Sequence, residues 1–181
     1  ATRGQAPYKQ VVTHGFTMDE KGRKMSKSIG NSVDPQKVIG QSGAEIIRLW
    51  VMSSDYSEDT RVGPEIIKAN TDDYRKIRNC FRYLLGNLAH FKADEKIDLA
   101  GMPELERYML HRLGELDALV RENYASYDFR KIYQALFNFM TIDLSAFYFD
   151  IRKDALYCDP ASSHDLRACR TVLDIAFTCL T

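Results

Sequence analysis

From Pro64 onward, apolar residues recur at three- and four-residue steps, and that period restricts this part of the chain to amphipathic helices packed side by side. The first long stretch carries Tyr74, Ile77, Phe81, Leu84, Leu85, Leu88 and Phe91 on its apolar face. A break follows between Ala93 and Met102. Pro103 then stands at a predicted first helical position, with Glu104 and Glu106 in the first turn, where the helix dipole favours acids. The second helix is expected to bury Leu105, Met109, Leu113, Leu116 and Val120. Asp128 is placed to cap a third, aromatic-rich helix with Phe129, Tyr133, Phe137 and Phe147, which either runs on or kinks before Tyr157. Ser162 and Asp165 are candidate caps for a fourth helix, with Leu166, Val172, Leu173, Ala176, Phe177 and Leu180 inward. Helices of this length on short connections predict an antiparallel, up-and-down bundle.

The first sixty residues differ in kind. They hold Gly4, Gly15, Gly22, Gly30, Gly40 and Gly43, six of the ten glycines. Val11 and Val12 form a short β-prone stretch, and Thr17 to Arg23 reads as a turn broken by Asp19 and Gly22. Asp34 and Pro35 predict an N-cap and first position of a short helix. Ser42 and Glu45 have the spacing of a capping box opening a helix through Ile46, Ile47, Leu49, Trp50 and Val51. The expected fold is therefore mainly α, with a small α/β segment at 1–62 followed by a helical domain at 63–181. Trp50 is expected to pack between the two parts. The chain begins at Ala1, and its last helical pattern reaches Thr181 with no Gly, Asn or Pro to stop it, so a piece cut from a longer protein, truncated at its C-terminus, is expected.

Charge narrows the choice of partners. Lys+Arg and Asp+Glu both number 25, which excludes a uniformly basic nucleic-acid binder but not a locally basic face. No apolar run is long enough to span a bilayer, and the first ten residues lack the apolar core of a secretion signal, so a cytoplasmic protein without membrane contact is expected. The four cysteines, Cys80, Cys158, Cys169 and Cys179, form no CxxC pair; no metal site is expected, and each is read as a buried thiol.

The densest chemistry lies in Lys21-Gly-Arg-Lys-Met-Ser-Lys-Ser28. From Lys21 to Val33 there are four positive residues and no acid. Ser26, Ser28, Asn31 and Ser32 add hydrogen-bonding groups, while Gly22 and Gly30 permit close backbone approach. Lysines and hydroxyls on a loop suit polyphosphate, because lysine acts as a movable point charge that stabilises a departing pyrophosphate. A solvated charge run is the alternative from composition alone.

Lys24-Met25-Ser26-Lys27-Ser28 is identical to the KMSKS signature of class I aminoacyl-tRNA synthetases. A given five-residue string arises by chance in roughly fewer than one in a thousand chains of this length. His14-Gly15-Phe16 before it, and Ile29-Gly30-Asn31 and Asp34-Pro35 after it, fit the same family. The longer strings Arg48-Leu-Trp-Val51, Ser53-Ser-Asp-Tyr56, Tyr74 to Asn79, Phe81 to Leu88 and Asp143 to Tyr148 resemble the isoleucyl-tRNA synthetase family in particular. The resemblance runs from about Tyr8 to Pro160.

The resemblance implies a division of labour. Lys27, the second lysine of the signature, would contact ATP, with Lys24 as the secondary candidate. Met25, Ser26 and Ser28 complete the ATP-binding loop. The intact enzyme would join isoleucine to tRNA(Ile) using ATP, with Mg2+ held mainly by the phosphates, and would be monomeric. The HIGH motif that class I enzymes also need is absent: His14, His90, His111 and His164 stand in no such context. The chain by itself is therefore expected to make no isoleucyl-adenylate. His14 has either a nucleotide contact or a structural role.

Arg75, Arg78 and Arg82 fall on one helix face, roughly 110° from the centre of the apolar stripe. They would meet RNA phosphate, or pair with acids of the second helix such as Glu115, Asp117 and Glu122. Asp143 and Ser145, in an apolar stretch, suit helix–helix hydrogen bonds better than catalysis. Competing identities are a piece of a valyl or leucyl enzyme, or a stand-alone helical RNA-binding module. A cytokine-like bundle has neither a secretion signal nor paired cysteines to support it.

Overall fold

The computed structural model describes residues 3–181 and divides at Thr71 and Asp72 into two compact units. The first is organised by backbone pairing. Strands β1 (Thr17–Met18) and β2 (Thr60–Arg61) run parallel, Thr17 opposite Thr60 and Met18 opposite Arg61. Strand structure thus falls inside the segment expected to be a turn. Val11 and Val12, expected to be β-prone, lie exposed outside any strand, with no apolar face to bury them. The turn itself tightens to Asp19–Arg23: the Gly22 N–H donates to the Asp19 carbonyl, and Gly22 adopts a φ of 74° that L-residues rarely take. Gly15 crosses so close to the backbone of Glu58 that a Cβ there would overlap its carbonyl group.

Two short helices follow. Asp34 caps α1 (Pro35–Ser42) by accepting from the Gln36 amide, with Pro35 in the first turn as expected. Helix α2 (Ala44–Ser53) departs from expectation: Ser42 ends α1 rather than capping α2, and the cap is Gly43, at φ 88° with no side-chain bond. Gly43 supplies the positive φ that lets one helix end and the next begin within a single residue. Trp50 on α2 is half-buried and donates its indole N–H to the Arg61 carbonyl at 3.0 Å. Helix α3 (Pro64–Leu88) begins in the first unit and continues into the second.

The second unit is a helical bundle with the apolar core. Helices α4 (Glu104–Ala125), α5 (Phe129–Asn138), α6 (Phe149–Cys158) and α7 (His164–Leu180) join the later turns of α3. Two 3₁₀ turns, Ala93–Glu95 and Leu99–Gly101, fill the expected break. Leu84, Met109, Leu144, Tyr148, Cys169 and Leu173 are among the residues forming one continuous core. Leu85, placed on the apolar face from sequence, is 54% exposed. Leu84 and Leu88 already cover the core-facing arc, and Leu85 lies about 100° away from Leu84. Pro103 sits one residue before α4 rather than inside it, and Ser163, not Ser162 or Asp165, caps α7 by accepting from the Leu166 amide.

The third helix neither simply runs on nor kinks. Between α5 and α6 the chain forms a π-helical stretch, Phe139–Tyr148. Its wider turns change the period of burial. Met140, Leu144 and Tyr148 face the core at steps of four, and Phe139, Leu144 and Phe149 at steps of five. Phe147, read as inward at the ordinary helical period, is consequently exposed and packs edge-on to Tyr108. The Ser145 hydroxyl donates to the Met140 carbonyl, five residues back, at 2.6 Å, while Asp143 accepts from Arg112 of α4 at 3.4 Å. The helix–helix role expected for Asp143 is thereby met.

Cys80 and Cys169 are buried thiols, and burial pushes each up to about 11. Cys158 and Cys179 are exposed, against expectation, because they lie at or next to the last residues of α6 and α7, beyond the core-facing arc.

Candidate functional site

The basic loop is framed by one acid and one amide. Asp19 is 7% exposed and lies two residues before the acid-free run. Its Oδ1 accepts from the amides of Lys21 (3.0 Å) and Arg23 (2.8 Å). Its Oδ2 accepts from the Arg23 guanidinium (2.9 Å) and from Asn31 Nδ2 (3.0 Å). Asn31, on the far side of the loop, also donates from Nδ2 to the Lys24 carbonyl (3.2 Å) and accepts at Oδ1 from the Ser26 amide (2.8 Å). The hydrogen bonds from Asn31 and the Arg23 amide, with the Arg23 guanidinium, hold the Asp19 carboxyl well below the usual carboxylate range against the opposing effect of burial.

The loop itself turns on the Gly30 amide, which donates to the carbonyls of Ser26 and Lys27. The Ser26 and Ser28 hydroxyls lie 2.7 Å apart. Met25 and Ser26 are half-buried, whereas Lys24, Lys27 and Ser28 are exposed. Among the described residues neither Lys24 nor Lys27 takes part in an ion pair. The frame thus consumes Asp19 and leaves both signature lysines open to an anion. His14 is exposed and, among the described residues, bonds to its neighbour's carbonyl, the Gly15 oxygen, at 2.7 Å.

Sequence reasoning treated Asp19 as a turn breaker and Asn31 as one polar residue of several. The usable signal was a pair of acids, Asp19 and Glu20, placed directly before a run of thirteen residues without one. Glu20 was missed altogether. It accepts from the Glu65 amide at 2.8 Å, supplying the first turn of α3 with a partner from 45 residues away, and a Cβ at Gly63 would collide with its side chain.

On α3, Arg75 pairs with Asp72 of its own helix at 2.9 Å. Arg78 and Arg82 are exposed and, among the described residues, unpaired. Two acids of α4 are engaged locally: Glu115 with Arg112 and His111, Asp117 with Arg121. No pairing between the α3 arginines and these acids is present among the described residues. In the second unit the buried charge among the described residues is Glu106, paired with half-buried Arg152. Glu106 is fully buried, accepts from Arg152 Nε and a terminal guanidinium nitrogen (2.7 and 2.6 Å), and accepts from the Tyr148 hydroxyl at 3.0 Å. From sequence, Glu106 had only a dipole role.

Among the described residues no group of three or more His, Cys, Asp or Glu side chains converges to hold a metal, and no helix is long and apolar enough to cross a membrane.

A KMSKS loop beside a short parallel strand pair, in a chain that continues into a helix bundle, is the arrangement of class I aminoacyl-tRNA synthetases, and the chain belongs to that family. Residues 1–63 match the family of class I tRNA synthetases (I, L, M and V), and residues 106–181 match the anticodon-binding domain of tRNA ligases. Within the family its similarity is to isoleucine–tRNA ligases. It is 59% identical over 179 residues to that of Mesorhizobium japonicum and 61% identical over 175 residues to that of Brucella abortus. These alignments cover 99% and 96% of this chain but only 18% of each relative, so the chain spans under a fifth of their length. Two solved structures share the fold at a TM-score of 0.68 over 88% of this chain. One is the leucyl-tRNA synthetase of Agrobacterium radiobacter K84 in ternary complex with tRNA and LeuAMS (18% identity, 19% of that chain). The other is Mycobacterium tuberculosis methionyl-tRNA synthetase with methionyl-adenylate (24% identity, 31% of that chain).

Proposed function

We propose that this chain is the part of an isoleucine–tRNA ligase that closes on ATP and begins the tRNA-binding bundle. Residues 1–62 form the end of the catalytic region and 63–181 the anticodon-binding domain. Lys27 contacts the triphosphate, Lys24 assists, and Met25, Ser26 and Ser28 complete the loop. The lysines stabilise negative charge as it moves onto pyrophosphate while the isoleucine carboxylate attacks the α-phosphorus. The adenylate then passes to the terminal ribose of tRNA(Ile). Mg2+ accompanies the nucleotide. The carboxylate bonded to the loop's frame, Asp19, is already engaged by Arg23, Asn31 and backbone amides, which fits an ion held by the phosphates and not by this chain. The unpaired Arg78 and Arg82, with Arg75 beside them, are the RNA contacts of α3. The parent is read as a monomeric cytoplasmic enzyme.

The observation that carries this reading is the pair of exposed, unpaired lysines on a loop whose flanking acids are taken up by other partners: Asp19 by Arg23 and Asn31, Glu20 by the Glu65 amide and Asp34 by the Gln36 amide. The test is titration of the purified chain with Mg-ATP and with tRNAs for isoleucine, valine and leucine across a salt series. We expect Lys27→Ala to abolish ATP binding, and Arg78→Ala with Arg82→Ala to weaken tRNA binding and flatten its salt dependence by about two charges. ATP binding untouched by Lys27→Ala refutes the loop assignment. Preference for the valine or leucine tRNA refutes the isoleucine assignment.

A further inference from the structure

The loop's geometry contains more than its lysines require. Four hydrogen bonds converge on the Asp19 carboxylate, and they come from both ends of the signature. Lys21 and Arg23 lie before it, and Asn31 lies after it. Asn31 relays the grip inward, to the Lys24 carbonyl and the Ser26 amide. Lys24 is further pinned by an antiparallel bridge to Met18, and the Asp19 amide donates to the Arg23 carbonyl at 2.9 Å. The segment from Lys24 to Gly30 is thus a loop whose two feet are tied to one carboxylate.

We propose that Asp19, acting through Asn31, is a positioning residue that holds the Lys24–Gly30 loop in the conformation that receives polyphosphate. The proposal rests on the reading of that loop as a triphosphate contact. A free loop must lose conformational freedom when it captures a ligand, whereas a tied loop has already lost it, and binding is tighter by the difference. Asp19 therefore favours anion binding although it is itself an anion.

That opposition gives the test its sign. Removing Asp19 subtracts a negative charge from the loop's surroundings and releases the Arg23 guanidinium, whose terminal nitrogen lies 2.8 Å from Asp19 Oδ2. On charge alone, Asp19→Ala binds polyphosphate more tightly. On positioning, it binds more weakly. Asn31→Ala changes no charge, leaves the Asp19–Arg23 pair in place and cuts the relay to Ser26, so it serves as the second variant should Asp19→Ala disturb the fold.

The experiment titrates the full chain, Asp19→Ala and Asn31→Ala with inorganic tripolyphosphate, and follows amide hydrogen exchange at Ser26 and Gly30. We expect both variants to bind about tenfold more weakly, as loss of one or two net hydrogen bonds implies, with faster exchange at Ser26. Binding by both variants that equals or exceeds the unsubstituted chain overturns the proposal, whatever the exchange rates. An unsubstituted chain that binds no tripolyphosphate removes the polyphosphate reading of the loop, and the proposal with it.

Discussion

The two units are stabilised by opposite means. Among the described residues of the first unit, only Ile46, Val62 and Ile67 are buried hydrophobics; the remaining buried hydrophobics belong to the second. The first unit is instead tied by polar groups reaching across the sequence: Asp19 to Asn31, Asp59 to the Phe16 amide, Glu20 to the Glu65 amide, Trp50 to the Arg61 carbonyl. In the bundle most charges lie outside and pair at one helical turn, as Arg121 does with Asp117 and Lys153 with Asp150. Such exposed pairs stabilise by less than about 1 kcal/mol each, and the core carries the fold. A unit held by directional bonds can present an exposed loop in a set geometry. A unit held by burial can vary its surface freely. The difference fits the roles proposed for the two units, anion contact for the loop and RNA contact for the bundle.

The exception in the bundle offers the largest effect. Glu106 and Arg152 form a bidentate pair with Glu106 fully buried and Arg152 17% exposed at its side chain. Arg152→Ala leaves a buried carboxylate with only the Tyr148 hydroxyl, and we expect it to destabilise the bundle by about 3–5 kcal/mol in urea unfolding. A loss under about 1 kcal/mol would show that the bundle tolerates a polar core as readily as the first unit does, and would remove the contrast. Next in size is Leu144→Ala, which removes a fully buried side chain from the π-helical stretch and is expected to cost about 3 kcal/mol. The same variant should leave tripolyphosphate binding unchanged below its melting temperature. A change in that binding would mean that loop and bundle are energetically coupled and not merely consecutive.

The bundle was largely legible in the sequence because amphipathic period is a local property. Where the period failed, the cause was specific. From Phe139 to Tyr148 the π-helical turn replaces steps of three and four by steps of four and five, so Phe147 was assigned inward and Tyr148 was not. Nothing local in the sequence announces that change, since Ser145 and Asp143 act through partners five residues back and on α4. In the loop unit the situation reverses. The signature lysines were legible as a string, but the frame was not, because Asp19–Asn31, Glu20–Glu65 and β1–β2 depend on chain crossings separated by 12 to 45 residues. A hydrogen bond between distant positions leaves no periodic trace. The Asp34 and Asp128 caps, whose partners lie two and three residues away, were read correctly from sequence.

The smallest expected effect is the sharpest discriminator between the units. Lys24 and Lys27 are exposed and unpaired among the described residues, so replacing both with Ala removes no folded-state partner and should change stability by less than about 0.5 kcal/mol. The frame beneath them should be equally indifferent to ordinary pH. Asp19 has a folded pKa below its unfolded value, so its contribution is fully present above the unfolded value of roughly 3.9 and is lost only as pH falls through the depressed folded value. Amide exchange at Ser26, corrected for its intrinsic pH dependence, should therefore be flat between pH 8 and pH 5 in both the unsubstituted chain and the double variant. A double variant that destabilises the chain, or protection at Ser26 that decays across that range, would mean that the lysines belong to the frame and are not held in reserve for a ligand. Unchanged stability and flat protection, together with lost tripolyphosphate binding, would separate the residues that hold the loop from those it presents.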